Sequence, residues 1–193
     1  MNEHIVEIVN RGNFVVLDTE TTGLDRPAEI CQIAIVGASG IVLLDTLVKP
    51  RRPIPRAASE KHGINDEMVV SAPVWPKVRN DVLDLINGKD VFVYNAVYDR
   101  KMMHWSDAES DGLKIDYKAR STWHCLMEAY AEFYGEIHPS YGTYIWQKLS
   151  NACAQMGLSP FAWHSAAGDA MAAYALLQAC TPQAEWSRLL RQA

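Results

Sequence analysis

Two apolar segments joined by a tight turn constrain the fold of this chain more than any other feature. Residues 29–37 and 41–48 are rich in the β-branched side chains that favour strands, and the Ala-Ser-Gly sequence at residues 38–40 predicts a hairpin-type turn between them. Residues 14–18, FVVLD, and residues 91–94, VFVY, are further apolar runs of strand length. Because the first three runs follow one another closely, the sequence predicts an antiparallel meander at its start.

The rest of the sequence shows mainly helical periodicity interrupted by loops. Apolar residues recur at helical spacing over residues 74–86, a helix is expected over residues 99–105, and Ser121 is a suitable N-cap for the helix that follows it. Residues 107–120 are charged and contain glycine, so they are predicted to form a loop with a short strand near Ile115. Strands followed by helices and further strands indicate an α/β domain with a mixed sheet. Further helices are expected in short pieces over 56–71 and over 122–134, 145–156, 166–180 and 183–191.

Composition and charge limit the possible function classes. Of the 193 residues, 49% are hydrophobic and 21% charged, which is enough to bury a core and does not indicate disorder. The formal net charge of −5 argues against a protein that coats nucleic acid, but it suits an enzyme with several carboxylates in its site. The four cysteines lie in apolar stretches without metal-ligand spacing, so free thiols in a reducing compartment are expected. With no signal peptide and no apolar run of roughly 18 residues, we expect a soluble, cytoplasmic protein that does not act at a membrane.

Two carboxylates stand at the end of the first predicted strand. Asp18 and Glu20 lie two positions apart, so their side chains point to the same face of the strand. They lead into a turn formed by Thr21, Thr22 and Gly23. Carboxylate oxygens are the ligands that hard cations such as Mg²⁺ prefer. Taken alone, the pair is more typical of a solvated strand end with turn-forming residues, and a metal site is the alternative.

Four more polar residues stand beside predicted helix starts. Asp99 follows the fourth strand, where α/β folds place functional groups, although aspartate is also a common helix N-cap. Asn95, just before it, has capping or turn formation as its ordinary role. His164 and Asp169 lie five apart in the segment HSAAGD, in which Ser165 can cap the last long helix. The simpler interpretation of this segment is an acid favoured by the helix dipole and an incidental histidine.

Together these clusters match a known family in order and in spacing. The segments DTETTGL at 18–24, NAVYD at 95–99 and HSAAGD at 164–169 resemble the three motifs of the DEDDh family of 3′→5′ exonucleases. The similarity extends to the segments between the motifs, which include LVKPRRPIP, EKHGIND, APVW and KLSNACAQMGL. It therefore covers roughly residues 13–180, almost the whole chain.

The sequence departs from the family's pattern at three positions. Tyr94 stands where the family often has histidine, Tyr98 where it usually has phenylalanine, and Ser121 where a helix often starts with an acidic residue. The first two changes keep an aromatic side chain, and serine caps a helix as well as an acid does. None of them removes a catalytic position, which argues against an inactive relative.

The resemblance implies a ribonuclease H-like exonuclease fold, in which a central mixed five-stranded sheet is flanked by helices. It implies a single domain over residues 1–193, with the motif-bearing core at about 13–180. The implied activity is hydrolysis of phosphodiester bonds from the 3′ end of DNA, with release of nucleoside 5′-monophosphates. The implied cofactors are two divalent cations, Mg²⁺ or Mn²⁺.

The resemblance also implies roles for five residues in catalysis. Asp18 bridges the two ions, Glu20 and Asp169 complete one metal site, and Asp99 acts on the other side. His164 is the general base that takes a proton from the attacking water. A histidine suits that task because its pKa lies near neutrality.

A second group of residues is expected to hold the 3′-terminal nucleotide. In the family, the backbone of the turn after the first motif binds this nucleotide, and a side chain at the position of Leu24 packs against the last base. Core packing is the simpler alternative for Leu24. The expected substrate-binding residues are Thr21, Thr22, Gly23, Leu24, Asn95 and Tyr98.

Basic and aromatic side chains offer further contacts to nucleic acid. Lysines and arginines cluster over residues 49–61, and this stretch is interpreted either as a phosphate contact or as a solvated, proline-stiffened loop. Arg100 and Lys101 are candidates for phosphate contacts as well. Three aromatic side chains are candidates for base stacking, with core packing as the simpler role: Trp75, Tyr94 and Tyr98.

Other functions stay open on the sequence alone. The catalytic set does not distinguish the sugar, so an exoribonuclease that trims RNA is the first alternative. DNA is favoured because the spacing and length resemble the exodeoxyribonuclease X-like and single-domain proofreading members of the family. A polymerase-associated or nucleic-acid-binding module, and a ribonuclease H-like nuclease that cuts internally, are further alternatives. The chain ends soon after the last motif helix, which favours a stand-alone enzyme, and a homodimer or a replication partner remains undetermined.

Overall fold

The computed structural model describes residues 1–158 and 161–181. They form one central sheet with helices packed against both of its faces. The strands are β1 (Phe14–Thr21), β2 (Ile30–Gly37), β3 (Val42–Leu47), β4 (Asp90–Val93) and β5 (Thr122–Cys125). The helices are α1 (Glu3–Arg11), α2 (Arg56–His62), α3 (Asp66–Val69), α4 (Trp75–Ile86), α5 (Ala96–Ser110), α6 (Tyr117–Arg120), α7 (Leu126–Tyr134), α8 (Leu149–Gln155) and α9 (Ala166–Cys180).

The sheet is mixed, as expected, and has the strand order β3-β2-β1-β4-β5. β1 pairs antiparallel with β2, and β2 with β3, so the predicted meander is confirmed. β1 and β4 run parallel, as do β4 and β5. Because parallel strands end at the same edge of a sheet, the residues that follow β1 and those that follow β4 come together there.

The sheet separates two apolar cores, and alternate residues of β1 face each of them. Val16 packs with Val36 of β2 in the core that contains α1, α8 and α9. Val15 and Leu17 belong to the opposite core, which is formed with α4 and α5. The side chains of α9 that face the sheet are largely alanine, and α9 contacts both β1 and β2. This close packing brings the first turn of α9 to the strand ends that carry the acidic residues.

The fifth strand occupies a segment for which the sequence predicts a helix. The prediction of a helix over residues 122–134 is wrong for its first turn, because Thr122–Cys125 form β5 and α7 begins only at Leu126. Without β5, the edge of β4 would present unpaired backbone groups, and β5 pairs along the whole of that strand. Ser121 therefore ends α6 instead of capping α7, and no strand forms near Ile115 in the described part of the chain.

Helix boundaries differ from expectation at other places. α5 runs over Ala96–Ser110, so the helix expected over 99–105 is longer at both ends and takes in the start of the predicted loop. The helix expected over 145–156 is shorter, because α8 begins only at Leu149 and ends at Gln155. Ahead of it, an isolated antiparallel bridge joins Ile137 and Tyr144. The helix expected over 183–191 lies outside the described residues.

Sequence reasoning did not predict α1, although its signals are present. Ile5, Ile8 and Val9 stand at helical spacing and are buried against the sheet. Asn2 caps the helix by accepting a 3.0 Å hydrogen bond from the backbone N–H of Ile5. Gly12 ends it in the left-handed conformation typical of a helix C-terminus.

The four cysteines are free thiols, as the sequence predicts, and three of them are buried. Burial raises the pKa of the Cys31 thiol to about 12, which keeps it protonated. Within the described ranges, no helix has the length and apolar character needed to span a membrane.

Candidate active site

Three carboxylates converge at the edge of the sheet where β1 ends. Asp18 and Glu20 project from the same face of β1, and Asp169 lies in the first turn of α9. Ligand oxygens of the three side chains all lie within 4.8 Å of one another. The packing of α9 across β1 and β2 is what brings the third carboxylate to the other two.

Asp99 approaches this cluster from α5. It lies in the first turn of the helix, and only 3% of it is exposed. The Oγ1 hydroxyl of Thr19 donates a 2.7 Å hydrogen bond to its Oδ1, which ties the carboxylate to β1. Its negative charge is near enough to raise the pKa of Asp18. The structure therefore brings together all four carboxylates that the motifs single out.

Burial and mutual repulsion raise the carboxyl pKa values in this cluster. Burial is the largest cause for each group. The pKa of Asp18 lies well above its usual range, and the other three carboxylates raise it further. The pKa of Glu20 rises to about 7, and the pKa of Asp99 also rises to about 7. Without a cation the cluster is therefore partly protonated at neutral pH, and a bound cation favours its ionised form.

One oxygen of the cluster lacks a protein partner. Asp169 Oδ1 is buried and accepts no hydrogen bond from the residues that the structure describes. A buried acceptor left in this way costs about 1–3 kcal/mol unless a ligand satisfies it. Together with the oxygens of Asp18 and Glu20, it forms the donor set that hard divalent cations prefer. The residues present therefore fit a divalent metal site.

The segment before α9 shapes the surroundings of His164. This residue is exposed and has a left-handed backbone conformation, with φ of 63°. Ser165 caps α9 by accepting a 3.2 Å hydrogen bond from the Gly168 N–H, and its hydroxyl donates to the Ala162 carbonyl at 2.9 Å. A Cβ atom at Gly168 would lie 1.9 Å from that carbonyl oxygen, so only glycine fits there. His164 lies near enough to Asp169 to lower its pKa, against the larger effect of burial.

A cavity of about 600 Å³ opens beside the carboxylates. The end of β1, the helix α2 and the first turn of α5 line it, and its volume suits a nucleotide. Leu24 is 67% exposed in this cavity, so it is not a core residue. The six residues expected to contact the substrate all line the cavity: Thr21, Thr22, Gly23, Leu24, Asn95 and Tyr98.

Hydrogen bonds hold the turn after β1 in one conformation. The hydroxyls of Thr21 and Tyr98 are 2.6 Å apart, and the Tyr98 hydroxyl donates to the Gly23 carbonyl at 3.1 Å. The Thr22 hydroxyl accepts a 2.9 Å hydrogen bond from the N–H of Glu29, the residue before β2. The wall of the cavity is therefore formed before any ligand binds.

Sequence reasoning missed His62, which also lines the cavity. Its Nδ1 accepts a 3.1 Å hydrogen bond from the Ile64 N–H, so the neutral ring carries its proton on Nε2. Nε2 then donates to the Thr21 carbonyl at 3.2 Å. Burial lowers the pKa of His62, which favours this neutral form. Its place within the segment EKHGIND was the only signal for it in the sequence.

Most of the basic side chains between residues 49 and 61 are engaged within the protein, which weakens their interpretation as a phosphate track. They bind carboxylates or backbone carbonyls of neighbouring segments. Lys61 differs, because it lines the cavity and its charge lowers the pKa of Glu20. The engaged side chains are Lys49, Arg51, Arg52 and Arg56.

The three candidate aromatic side chains differ in their surroundings. Trp75 is buried, and its Nε1 donates to Asp107 at 2.7 Å, so it packs in the core. The Tyr94 hydroxyl donates to the Gln147 carbonyl at 2.8 Å and holds the segment before α8. Tyr98 is the one of the three that lines the cavity.

Comparison with known proteins agrees with this arrangement. The sequence profile of the RNase_T family, described as Exonuclease, matches residues 15–177. The chain belongs to this exonuclease family. With its three motifs it is of the DEDDh 3′→5′ type, and it is a metal-dependent hydrolase. It is 40% identical over 149 residues to the uncharacterized exonuclease CP81 of Escherichia phage 186, which covers 75% of each chain.

A second relative is longer than the matched region. DNA polymerase III subunit epsilon of Haemophilus influenzae is 30% identical over 142 residues, which cover 68% of this chain and 54% of that protein. The alignment thus spans about half the length of that relative.

Solved structures confirm the ribonuclease H-like exonuclease fold. Exonuclease X in complex with 5′ overhanging duplex DNA is 23% identical and has a TM-score of 0.65, over 86% of this chain and 90% of that chain. The nuclease domain of 3′hExo, a DEDDh family member bound to rAMP, is 17% identical with a TM-score of 0.66, again over 86% and 90% of the two chains.

Proposed function

We propose that the protein is a 3′→5′ exonuclease of DNA that releases nucleoside 5′-monophosphates. The main support is the clustering of Asp18, Glu20 and Asp169 within 4.8 Å of one another, beside a cavity of nucleotide size. DNA is favoured over RNA because the relatives include a DNA polymerase III subunit epsilon, and Exonuclease X shares the fold. The family match also supports one exonuclease domain over about residues 13–180.

The carboxylate cluster holds two divalent cations, Mg²⁺ or Mn²⁺, in this proposal. Asp18, Glu20 and Asp169 are the ligands on one side, and Asp99 contributes from α5. When bound, the ions stabilise negative charge on the attacking and leaving oxygens of the phosphodiester. Thr19 orients the Asp99 carboxylate, and Asp169 Oδ1 supplies an acceptor that no described protein group occupies.

His164 acts as the general base. Its imidazole is exposed beside Asp169. Its own left-handed backbone conformation sets its position, together with the close approach of the Ala162 carbonyl that Gly168 permits. From there it takes a proton from water that approaches the scissile phosphate.

The cavity beside the cluster holds the 3′-terminal nucleotide. Leu24 packs its exposed side chain against the last base, and the backbone between Thr21 and Gly23 faces the sugar and phosphate. Lys61 supplies a positive charge to the same cavity. Such contacts bind the end of a strand without sequence specificity.

The test is incubation of the purified protein with 5′-labelled single-stranded DNA and the matching RNA, in Mg²⁺, in Mn²⁺ and in EDTA. We expect a ladder that shortens from the 3′ end, depends on metal and is stronger on DNA. The matched control is Asp18→Asn, which keeps the side-chain shape and removes the charge, and which is expected to be inactive. Shortening of RNA alone would reject DNA as the substrate, and no cleavage by a folded, metal-loaded protein would reject the proposed activity.

A further inference from the structure

A second cavity, of about 380 Å³, lies on the other side of the first turn of α5. Ala96, Val97 and Arg100 of this helix line it. Asn95 and Tyr98 of the same turn line the cavity beside the carboxylates. One helical turn thus separates the two cavities, because side chains one position apart on a helix point in different directions. The adjacent Cα atoms of Asn95 and Ala96 are about 3.8 Å apart, so the cavities are close neighbours.

The second cavity carries two positive side chains, Arg100 and Lys118. The guanidinium carbon of Arg100 lies 5.6 Å from the centroid of the Trp123 ring, which also lines the cavity. A guanidinium held on an aromatic face keeps its N–H donors directed outward. Within the described ranges, neither cation takes part in a salt bridge or a side-chain hydrogen bond. Both charges are therefore available to a ligand.

Other groups in the cavity offset only part of this charge. Among the described residues, Glu128 is the only acidic side chain that lines it, and Glu128 is exposed. The hydroxyls of Ser121 and Thr122 add neutral hydrogen-bonding groups. The result is a small positively charged cavity in a chain whose formal net charge is −5. The positive charge of this cavity favours the binding of an anion.

We infer that the second cavity binds a backbone phosphate of the nucleic-acid strand, upstream of the nucleotide that is removed. The inference rests on the proposed function, since a strand whose 3′ end occupies the first cavity must continue across the surface. α2 bounds the first cavity on one side, and the first turn of α5 leads from it to the second cavity. Arg100 and Lys118 donate charge-assisted hydrogen bonds to phosphate oxygens, and Trp123 positions the Arg100 guanidinium.

The test compares two double variants that each remove two positive charges. Arg100→Ala/Lys118→Ala removes both positively charged side chains from the second cavity. Lys77→Ala/Lys114→Ala is the matched control, because both lysines are exposed and line neither cavity. Each protein is assayed on a single-stranded DNA oligonucleotide and on the 4-nitrophenyl ester of thymidine 5′-monophosphate. The ester has one phosphodiester bond and no upstream phosphate.

We expect the Arg100→Ala/Lys118→Ala variant to raise KM for the oligonucleotide by about tenfold or more, the loss that two phosphate contacts bring, with little change in kcat. Its kcat/KM for the nitrophenyl ester should equal that of the wild type. The control variant should match the wild type on both substrates. The charge-retaining variant Arg100→Lys/Lys118→Arg should recover most of the oligonucleotide affinity.

Binding without turnover separates this inference from the proposed function. Fluorescence anisotropy of a labelled oligonucleotide in EDTA gives Kd as a function of salt. Each phosphate contact contributes about 0.7 to the slope of log Kd against log salt for single strands, so the Arg100→Ala/Lys118→Ala variant should lower that slope by about 1.4. If the wild type cleaves neither substrate but the variant still lowers the slope, the inference is supported and the proposed activity is rejected. An unchanged slope, an unchanged oligonucleotide KM or an equal loss on the ester would overturn the inference.

Discussion

The hydroxyl of Thr19 donates a 2.7 Å hydrogen bond to the Oδ1 of Asp99, two residues that lie 80 positions apart in the chain. Thr19 stands between Asp18 and Glu20 on β1, so its side chain points to the other face of the strand. β1 therefore contributes two carboxylates from one face and orients a buried carboxylate of α5 from the other.

Thr19→Val keeps the shape of the side chain and removes this donor. The hydrogen bond lowers the pKa of Asp99, so its loss should raise that pKa further. A hydrogen bond to a charged group contributes about 1.5–3 kcal/mol, and the free energy of unfolding in urea should fall by that order. Activity should fall most at low pH, where more Asp99 is protonated, and a kcat profile over pH measures this. Thr46→Val is the control and should show neither change, because the Thr46 hydroxyl donates to the Leu47 carbonyl and not to a carboxylate among the described residues.

Gly168→Ala tests the close approach before α9. The added Cβ would meet the Ala162 carbonyl oxygen at 1.9 Å, so the cap must move and carry His164 with it. We expect a loss of stability of about 1–3 kcal/mol, as for overpacking, and a clear loss of activity. Gly112→Ala is a graded control, because Gly112 has a positive φ that disfavours alanine but has open space around it, whereas Gly168 meets a backbone carbonyl without having a positive φ. Equal thermal stability and activity in the two variants would contradict the role given to Gly168.

His164→Ala tests the general base. Loss of a positioned base typically lowers the rate by about 10²–10⁴-fold, and we expect a fall in kcat of that order with metal affinity retained. Isothermal titration with Mn²⁺ checks metal binding in the same variant. His4→Ala, on the exposed face of α1, is the control and should keep full activity. A fall of less than about tenfold in kcat would remove His164 from the mechanism.

The stability of the metal-free protein should depend on pH. Glu20 and Asp99 have pKa values of about 7 in the fold, above the value near 4 of an exposed carboxyl group. A raised carboxyl pKa means that the protonated form stabilises the fold. This contribution is complete below the unfolded pKa and is lost as pH rises through about 7. We therefore expect Tm in EDTA to fall between about pH 4 and pH 7.

Mg²⁺ should raise Tm again at the upper end of this pH range, because it binds the ionised carboxylates. Lys61 and His164 also face the cluster, so the comparison is made on the difference between Tm with Mg²⁺ and Tm in EDTA. Asp18→Asn removes one of the interacting charges and should flatten the dependence. A Tm in EDTA that rises with pH across this window would show that the cluster is not repulsive in the fold.

Leu24→Ala tests the wall of the terminal-nucleotide cavity. Leu24 is 67% exposed, so truncation should leave the free energy of unfolding within about 0.5 kcal/mol. KM for oligonucleotides should rise several-fold, because an apolar contact to the last base is lost. Leu43→Ala is the control, since Leu43 is also exposed, at 44%, and lies outside the cavity. A large drop in Tm for Leu24→Ala would mean that the side chain packs in the core after all.

The features of the site that depend on residues close in sequence could be predicted from the sequence by itself. The alternation of side chains along a strand put Asp18 and Glu20 on one face, and the apolar runs indicated the meander that presents them. Ser165 was recognisable as the cap of α9, because capping depends on residues three positions apart. Short-range geometry determines each of these features, so sequence reasoning could predict them.

Only the tertiary structure decided which of these groups meet. Thr122–Cys125 form a strand although the local pattern favours a helix, because they pair with the edge of β4, which would otherwise be unpaired. Packing of α9 on the sheet brings Asp169 within 4.8 Å of two residues near the other end of the chain, and His62 turns its ring to the Thr21 carbonyl. Contacts between distant segments depend on the free energy of the whole packed core, which no local pattern encodes.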